Sequence, residues 1–238
     1  MSQVEVYLAD PALIDTEQSR AVLRGDEAHH LLRVRRARPG DELMLIDGIG
    51  TAWPGKVMEV DREEATISIG AALPQWNEPP IHVHLGLGLL KSDHFSEAVN
   101  LAVQAGVGSI TPLDTRYSIA GWSSNKQGRA ERLAITAAKQ CGRGAVPPLH
   151  PVQPLQEWCI QGNDIRHRIL LDAEGGPLPR LQQNDRIALA IGPEGGFHED
   201  EIAMLQSAGF TRVRLGRRRL RSETAVAVGV AQLVLSVE

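Results

Sequence analysis

Three glycine-bearing segments in the C-terminal half of the sequence carry carboxylates and could hold a ligand. They are "LLDAEGG" at 170–176, "IGPEGG" at 191–196 and "RLGRRRLRSETA" at 214–225. Each follows or completes a run that predicts a strand, and in open α/β sheets ligands bind beyond the carboxyl ends of strands. Gly195 and Gly196 carry no side chains, so the backbone there can approach a ligand closely. The three segments therefore predict one shared binding pocket.

The residue types in these segments disfavour a phosphate ligand and a nucleotide-phosphate enzyme. A P-loop needs a lysine in register after Gly192, and a dinucleotide-binding turn needs a second glycine that "GPEGG" lacks. Glu194 would also repel a phosphate. Carboxylates would instead tolerate a positive centre or a ribose. The segments carry four of them: Asp172, Glu174, Glu194 and Glu223.

The alternative interpretation is that "PEGG" is only a turn between a strand and a helix. The helix is predicted over "EDEIAMLQSAG", with His198 at the N-cap, where Ser, Thr, Asp or Asn would be preferred. Glu201, three residues further on, predicts only half of a capping box. This unusual cap slightly weakens a purely structural interpretation of the turn.

Alternating strands and helices after residue 80 must position these segments. The predicted strands are "IHVHLGLGLL", "VGSITPLDT", "HRILLDAEG", "RIALAIGPEGG" and "TRVRLG". The predicted helices are "SDHFSEAVNLAVQAG", "GRAERLAITAAKQCGRG", "EDEIAMLQSAG" and the closing "SETAVAVGVAQLVLSV". This alternation predicts an α/β fold with a mostly parallel sheet covered on both faces. The closing helix is apolar nearly all round, which predicts a buried or dimer-forming helix.

The first 73 residues predict a different architecture. Short strands in "DELMLIDG", "GKVMEVD" and "EATISIGAAL" are separated by turn residues, among them Pro54-Gly55, and suggest a small β-barrel. A helix in "GDEAHHLLRVRRA" interrupts them. "PQWNEPP" at 74–80 holds three prolines, which block regular structure and favour a linker. The predicted organisation is a barrel domain at 1–73, a linker at 74–80 and an α/β domain at 81–238.

Charge clusters rather than net charge predict an anionic partner. Residues 1–80 carry a net charge of −6 and residues 81–238 one of +2, which together give the −4 of the whole chain. Within the acidic part, four arginines fall inside six residues at 33–38, and "RVRLGRRRLR" at 212–221 holds six more. The planar guanidinium suits phosphates and base edges better than an ammonium does. Nucleic acid is the predicted partner, against the alternative of a solvated face.

Composition narrows the class of protein further. The 238 residues are 42% hydrophobic and 23% charged, as in globular proteins, and no apolar run approaches the roughly 18 residues of a membrane span. The N-terminus lacks a signal-peptide pattern, so we expect a cytoplasmic protein with no membrane partner. Cys141 and Cys159 are expected to be reduced thiols. His82 and His84 alternate on a predicted strand, but no third ligand stands at metal-binding spacing, so no metal is expected.

The segments "IGPEGGF" and "LG…LRSETA", preceded by "AAKQCGR" and "HHLLRVRRARPGDEL..IDG", resemble the bacterial 16S rRNA uridine-N3 methyltransferase family (RsmE), of the SPOUT class. The resemblance extends from His29 to the end of the chain. It implies a PUA-like β-barrel followed by an α/β domain with a C-terminal trefoil knot. It further implies a homodimer that uses S-adenosyl-L-methionine to methylate N3 of a uridine in 16S rRNA of the 30S subunit.

The resemblance also assigns residues to roles. The implied RNA-binding residues are His29, His30, Arg33, Arg35 and Arg36. The implied cofactor-binding residues are Leu171, Asp172, Glu174, Ile191, Gly192, Pro193, Glu194, Gly195, Gly196, Leu215, Gly216, Leu220 and Arg221. The independent chemistry agrees, because a sulfonium is a cation and the segments are rich in carboxylates. The chain departs from the family's usual residues at Asn100-Leu101, at 104–107 and at 115–118, which keeps two alternatives open. These are a methyltransferase of the same fold that acts on another RNA and a non-catalytic RNA-binding paralogue.

Methyl transfer to a uracil N3 defines what the catalytic groups must do. Paired uracil hides that nitrogen, so the target must be unpaired or flipped out of its helix. Arg221 or Arg143 could stabilise the developing charge on a uracil oxygen. Glu194 or Glu223 could accept the N3 proton. Trp122 could stack on a base, although a packing role is the more common one for tryptophan.

Overall fold

A computed structural model describes residues 4–118, 121–162 and 164–238 of the chain. Two compact units are present. The N-terminal unit comprises Met1–Glu78 and Ile135–Val146, and the C-terminal unit comprises Pro79–Ala134 and Pro147–Glu238. Ile119 and Ala120, which belong to the predicted loop around Trp122, lie outside the described residues, as do residues 1–3 of the predicted barrel domain.

A seven-stranded, mostly antiparallel sheet forms the N-terminal unit. Its strands are β1 (Val6–Leu8), β2 (Ile14–Asp15), β3 (Arg20–Arg24), β4 (Glu42–Ile46), β5 (Thr51–Val60), β6 (Glu64–Ile69) and β7 (Leu73–Pro74). They pair in the order β1-β4-β5-β6-β3-β2, with β7 added beside β5. Within the described residues this path does not close on itself, so the predicted barrel is a curled half-barrel. β1 and β2 lie at opposite ends of the path and are not paired with each other.

Alternating burial along the strands explains why these residues form a sheet with one apolar face. In β4, for example, Leu43 and Leu45 are buried while Glu42 is exposed. The buried side chains include Tyr7, Leu23 and Ile67, which pack into one core. A period of two between buried and exposed residues is what a strand with one solvated face requires.

The predicted turn at Pro54-Gly55 is wrong, because β5 runs through it from Thr51 to Val60. Pro54 lies opposite Met44 of β4, and its carbonyl accepts a hydrogen bond from the N–H of Gly70 at 2.8 Å, just past the end of β6. Pro54 has no N–H to donate, but the pairing with β6 has already ended at this position. Proline is tolerated in a strand at such a position, since no ladder hydrogen bond is lost.

The helix predicted in "GDEAHHLLRVRRA" is present, but it changes its winding halfway. It is α-helical over α1 (Gly25–His29) and continues as a π-helical turn over His30–Val34. Leu31 is buried, and the arginines that follow it are exposed. The wider turn presents the basic segment on the surface of the N-terminal unit.

The residues of the predicted linker are ordered against the end of helix α3 (Ser124–Cys141) and the chain that follows it. Asn77 donates to the carbonyl of Gly142 at 2.8 Å, and the N–H of Gly144 donates to Trp76 at 3.0 Å. All of these residues belong to the N-terminal unit, which α3 enters at Ile135.

A six-stranded, wholly parallel sheet forms the C-terminal unit and confirms the predicted α/β fold. Its strands are β8 (His82–Gly88), β9 (Ser109–Asp114), β10 (Gln153–Pro154), β11 (His167–Gly176), β12 (Arg186–Ile191) and β13 (Thr211–Val213). They pair in the order β10-β9-β8-β12-β11-β13, all in parallel. β12 is buried from Ile187 to Ile191, as expected for a central strand of a parallel sheet.

Four further helices complete the C-terminal unit together with the first part of α3. They are α2 (Ser92–Gln104), α4 (Leu155–Trp158), α5 (Glu199–Ser207) and α6 (Ser222–Leu235). α6 packs against α2 and β12, with Val226, Val230 and Leu233 buried, so the apolar closing helix is buried on one side. No helix in the described ranges has the length and apolar character needed to cross a bilayer.

Candidate functional site

The three glycine-bearing segments meet at one edge of the parallel sheet. β12, β11 and β13 are neighbours and run in the same direction, so their carboxyl ends lie side by side. The first loop is the irregular end of β11 at 171–176, the second loop follows β12 at 192–198, and the third loop follows β13 at 214–221. The register between β11 and β13 shifts between Leu171 and Gly176, which allows the first loop to bulge away from the sheet.

These loops enclose a cavity of about 1250 Å³, which the beginnings of α5 and α6 complete. Most of the predicted cofactor-binding residues line it: Leu171, Asp172, Glu174, Ile191, Gly192, Pro193, Glu194, Gly196, Leu215, Gly216, Leu220 and Arg221. This volume is larger than the roughly 300 to 1,000 Å³ that is typical of small-molecule and cofactor sites, which leaves room for a second reactant. The three sequence segments therefore share one cavity.

Gly195 is the one predicted cofactor-binding residue that does not line the cavity. A Cβ atom built on it would lie 3.1 Å from the Cβ of Tyr117. Its missing side chain therefore allows the second loop to pack closely against the segment after β9. The absence of a side chain at Gly195 thus serves packing in this structure, and its role in binding the cofactor stays a prediction.

The second loop is held in a tight conformation by its glycines and by a neighbouring strand. A Cβ atom on Gly192 would lie 2.9 Å from the carbonyl carbon of Gly196, so the loop folds back on itself there. Gly88, the last residue of β8, leaves room for Pro193, because a Cβ on it would lie 2.4 Å from the proline Cδ. Gly196 has a φ of 76°, in the left-handed region that favours glycine.

The first loop is fixed by an ion-pair cluster that the sequence pattern did not reveal. Arg212 of β13 donates to Asp172 at 2.8 Å and to Glu174 at 3.0 Å. The hydrogen bond to Asp172, followed by that to Glu174, raises the pKa of Arg212 above its already high range. The Asp172 carboxylate also accepts the backbone N–H of Glu174 at 2.7 Å. Two of the four predicted carboxylates are therefore already paired.

The other two carboxylates each present a buried, unpartnered oxygen in the cavity lining. Glu223, in the first turn of α6, is 6% exposed, and its Oε2 has no hydrogen-bond partner among the described residues. The Oε2 of Glu194 is also buried without a hydrogen-bond partner among the described residues, while its Oε1 lies 3.4 Å from Nδ1 of His94. An unpartnered buried carboxylate oxygen is costly, so these two groups are expected to meet a donor or a cation of a ligand.

Arginines surround the cavity on its exposed side. Arg218, Arg219 and Arg221 line it and are exposed to solvent, and Arg219 reaches the carbonyl of Glu194 at 3.5 Å. Ser222 is buried, and its hydroxyl donates to the carbonyl of Gly192 at 3.0 Å, which joins the start of α6 to the second loop. These arginines are the solvent-exposed part of the lining, here called the cavity mouth, whereas Glu194 is half-buried and Glu223 is buried.

The cap of α5 corrects the prediction of half a capping box. The N–H of His198 donates to Glu201 at 2.8 Å, and Nδ1 of His198 accepts the N–H of Asp200 at 3.2 Å. Both halves of the box are present, since an imidazole nitrogen without a proton is a hydrogen-bond acceptor like the usual cap oxygen. The guanidinium of Arg116 also contacts this nitrogen, and the backbone N–H of Arg116 donates to Glu201.

Arg143 is not among the residues that line the cavity. Its guanidinium is 6% exposed and donates to the Glu78 carboxylate at 2.6 Å. That carboxylate also accepts the N–H of Ala145 at 2.9 Å. These contacts order the chain beyond α3, and the catalytic role of Arg143 stays a prediction.

The predicted RNA-binding residues lie close together in sequence on the N-terminal unit, from the end of α1 through the π-helical turn to the two residues after it. His29, Arg33, Arg35 and Arg36 are exposed. Arg35 is paired with Glu5, and Arg36 has a φ of 56°. His30 is half-buried beside the ring of Tyr7, with its Nδ1 unpartnered. The group therefore forms a basic surface on which three arginines face solvent.

His84 has a structural environment at the amino ends of the parallel strands. Its Nδ1 lies 2.9 Å from the hydroxyl of Ser109, and Arg186 approaches its Nε2 at 3.1 Å. Burial, with the nearby Arg186 charge second, lowers the pKa of His84 to about 4. The neutral ring is thus bound by protein groups on both nitrogens.

Sequence reasoning missed several residues of the cavity. His94 on α2, Arg212 and Ser222 line it, as do Phe197, Ile202 and Gln206 on or beside α5. The sequence identified Arg212 only as one member of a charge cluster. Arg212 and Val213 are neighbours on a short strand, so their side chains point to opposite faces of the sheet, and this was the signal that Arg212 has a role of its own. His94 had no such signal, because it follows a strand whose neighbour, β12, comes about a hundred residues later.

Comparisons with known proteins agree with this arrangement. A family model described as an RNA methyltransferase domain matches residues 77–234, and one described as an RNA methyltransferase PUA domain matches residues 23–70. The ribosomal RNA small subunit methyltransferase E of Synechocystis sp. is 30% identical over 223 residues, which cover 91% of this chain and 73% of that protein. The protein of the same name from Mycobacterium bovis is 30% identical over 223 residues, covering 88% and 84%.

A solved structure shows the same fold. The ribosomal RNA small subunit methyltransferase E of Neisseria gonorrhoeae, crystallised bound to S-adenosyl methionine, superposes with a TM-score of 0.89. The two chains are 24% identical, and the match covers 99% of this chain and 98% of the other. At this level of identity the likeness establishes the common fold.

Proposed function

The chain belongs to the ribosomal RNA small subunit methyltransferase E family, and on this premise we propose that it is an S-adenosylmethionine-dependent methyltransferase. Its substrate is a uridine of 16S rRNA in the 30S subunit, and its product is N3-methyluridine. The Neisseria relative of the same fold carries S-adenosyl methionine, which supports the choice of donor.

One observation carries this proposal: the separation of charge in the cavity. The buried Glu223 and the partly buried Glu194 each present an unpartnered oxygen, while Arg218, Arg219 and Arg221 are exposed at the mouth. A cationic donor is attracted to the acidic interior, and an anionic RNA is attracted to the basic rim. A phosphate-bearing cofactor would meet the opposite arrangement.

The loop residues named above would hold the donor. Backbone groups of the second loop and the apolar side chains of Leu171, Ile191 and Leu215 line the cavity on the sides of the strands. Such a lining, apolar with a few placed polar groups, is what cofactor sites usually present. The donor supplies an electrophilic methyl group on a positively charged sulfur.

The remaining cavity residues have proposed roles toward the uridine. The N3 nitrogen forms a bond to the methyl carbon as the carbon–sulfur bond breaks, and the N3 proton passes to a carboxylate. Glu194 and Glu223 are the carboxylates in place for it. Arg221 stabilises the negative charge that develops on a uracil oxygen. Arg143, which is bound to Glu78, is the proposed alternative to Arg221 for this role.

The basic surface of the N-terminal unit is proposed to bind the RNA backbone. The family model of the PUA domain covers this segment, which runs from the end of α1 to just past the π-helical turn: His29, His30, Arg33, Arg35 and Arg36. Phosphate contacts of this kind position an RNA without reading its sequence. The proposed domains remain an RNA-binding domain at 1–73, a linker at 74–80 and a methyltransferase domain at 81–238.

A C-terminal trefoil knot is the proposed path of the chain around the cavity. The support is topological. β13 lies at the sheet edge beyond β11, yet α6, which follows it, packs against α2 and β12. The third loop must therefore cross the carboxyl ends of β11 and β12, where Ser222 meets the second loop. A knot requires the chain to pass through a loop, and this crossing is where that passage is proposed.

A cytoplasmic homodimer is the proposed working form. Val228 and Leu235 of α6 are exposed apolar side chains on a helix that is otherwise packed on α2. A second copy of α6 could cover them, as in the isologous interfaces of two-fold dimers. The ribosomal substrate places the enzyme in the cytoplasm.

A transfer assay with product analysis tests the function. The full chain is incubated with tritiated S-adenosylmethionine and 30S subunits that lack the modification, and the rRNA is digested for nucleoside mass spectrometry. We expect label in rRNA and a new N3-methyluridine. Methyl transfer to a different nucleoside or a different RNA would replace the proposed substrate, and binding of subunits without transfer would indicate a non-catalytic paralogue.

A further inference from the structure

A second, smaller pocket lies beside the large cavity in the C-terminal unit. Its volume is about 210 Å³, and Phe95, Trp122, Asn125, Lys126 and Arg129 are among the residues that line it. This is below the range of about 300 to 1,000 Å³ that is typical of sites for complete small ligands. A single planar group is what such a pocket can accommodate.

The tryptophan in this pocket is held in a fixed orientation. Its ring meets Phe95 edge to face with centroids 4.7 Å apart, and its Nε1 donates to the side chain of Gln127 at 2.9 Å. Gln127 is itself anchored, since its amide nitrogen donates to the carbonyl of Leu149 at 2.9 Å. The half-buried ring is therefore a prearranged stacking surface rather than a mobile side chain.

Polar and cationic groups surround the ring on one helical turn of α3. Asn125 is exposed and offers both a donor and an acceptor. Lys126 reaches across to the carbonyl of Gly121 at 2.6 Å. Arg129 is only loosely paired with the exposed Asp93, at 3.8 Å, so its guanidinium can exchange that partner at little cost. Proteins commonly bind an unpaired nucleotide with an aromatic ring that stacks on the base and with cationic and amide side chains around it.

Helix α2 connects this pocket to the large cavity. Its first turn contributes His94 to the cavity and Phe95 and Ser96 to the pocket. Consecutive residues of one helix thus face two different openings. A strand of RNA with one nucleotide in the cavity would have its neighbour within reach of the pocket.

We propose that this pocket, built around Trp122, Asn125, Lys126 and Arg129, binds an unpaired nucleotide next to the one that is methylated. The base stacks on Trp122, and its phosphate meets Lys126 and Arg129. This inference rests on the proposed function for the identity of the RNA. It assigns a specificity-determining subsite that lies outside the loops of the cofactor cavity.

Steady-state transfer to 30S subunits tests the subsite. Trp122→Ala should raise the KM for subunits roughly 10- to 100-fold, because base–aromatic stacking contributes about that much to binding, while Trp122→Phe retains most of the affinity. Arg129→Gln should raise the KM several-fold and reduce its salt dependence. Arg180→Gln, which removes the same charge from an exposed position outside both pockets, is the control. Unchanged KM values in Trp122→Ala and Arg129→Gln would overturn the proposal.

A binding experiment separates this inference from the proposed function. Fluorescence anisotropy of a fluorescein-labelled single-stranded hexauridylate should report binding to the wild-type chain and its loss in Trp122→Ala. Calorimetry with S-adenosylmethionine should give the same affinity for both proteins. Loss of RNA binding with no methyl transfer by the wild type would leave the subsite standing and overturn the function. Equal hexauridylate binding by both proteins would overturn the subsite alone.

Discussion

Glu223 shows how much of the site depends on single side chains. It lies in the first turn of α6, where the helix dipole favours a negative charge, and it is buried with one oxygen unpartnered. A buried carboxylate without a partner lowers stability, and such groups are kept where function requires them. The sequence identified this residue as one of four carboxylates that would tolerate a positive centre and as a possible acceptor of the N3 proton. The burial of Glu223 and its unpartnered oxygen limit the roles that this side chain can have. Both depend on how α6 packs, so the sequence could not predict them.

Glu223→Gln removes the negative charge of this side chain and keeps its size. We expect kcat for methyl transfer to fall roughly 100-fold, because a general base typically contributes about 10²- to 10⁴-fold. The KM for 30S subunits should stay the same, and the melting temperature should stay the same or rise, since an uncompensated buried charge is removed. Raising the pH should restore part of the rate, as solvent takes over removal of the imide proton.

Glu199→Gln serves as the matched control, since Glu199 is an exposed carboxylate that also lines the cavity. It should leave kcat within about twofold of the wild-type value. A Glu223→Gln protein with wild-type kcat at every pH would contradict a role for this carboxylate in proton transfer.

The loops act as elements whose shape depends on glycines at strand ends. The second loop fits beside β8 only because Gly88 has no Cβ atom, which would lie 2.4 Å from Cδ and 2.6 Å from N of Pro193. The sequence predicted which segments after residue 80 form the longer strands and where the three loops follow them, because hydrophobic runs and turn residues are local signals. It did not predict the β5 strand through Pro54 or the dependence of Pro193 on Gly88, because both depend on neighbours distant in sequence.

Gly88→Ala should therefore displace the second loop. The added methyl group meets backbone as well as side-chain atoms of Pro193, so overpacking should cost about 1–3 kcal/mol of unfolding free energy. The affinity for S-adenosylmethionine, measured by calorimetry, should fall at least tenfold, because the displaced loop lines the cavity.

Gly176→Ala provides the comparison within the same site. A Cβ atom on Gly176 meets nothing within 4 Å, so stability and donor affinity should both stay close to wild type. If Gly88→Ala bound the donor as tightly as Gly176→Ala, the second loop would not be part of the binding site.

Over the whole molecule, charge is arranged so that two different partners are attracted to different places. Arg33, Arg35 and Arg36, in and just after the π-helical turn, are exposed on the N-terminal unit, and the arginines of the third loop are exposed at the cavity mouth. The net charge of −4 conceals both clusters. Sequence counting located the clusters, but it assigned Arg212 and Arg143 no partners, and the structure pairs them with Asp172 and Glu78. Which arginines are available to RNA follows only from these tertiary ion pairs.

A crystal structure of the full chain grown with S-adenosylmethionine tests the central claim most directly. We predict density for the donor between the first, second and third loops, with its sulfur deep in the cavity and closer to Glu194 or Glu223 than to Arg218 or Arg219. Density for the donor at another place, with the three loops enclosing only solvent, would contradict the account.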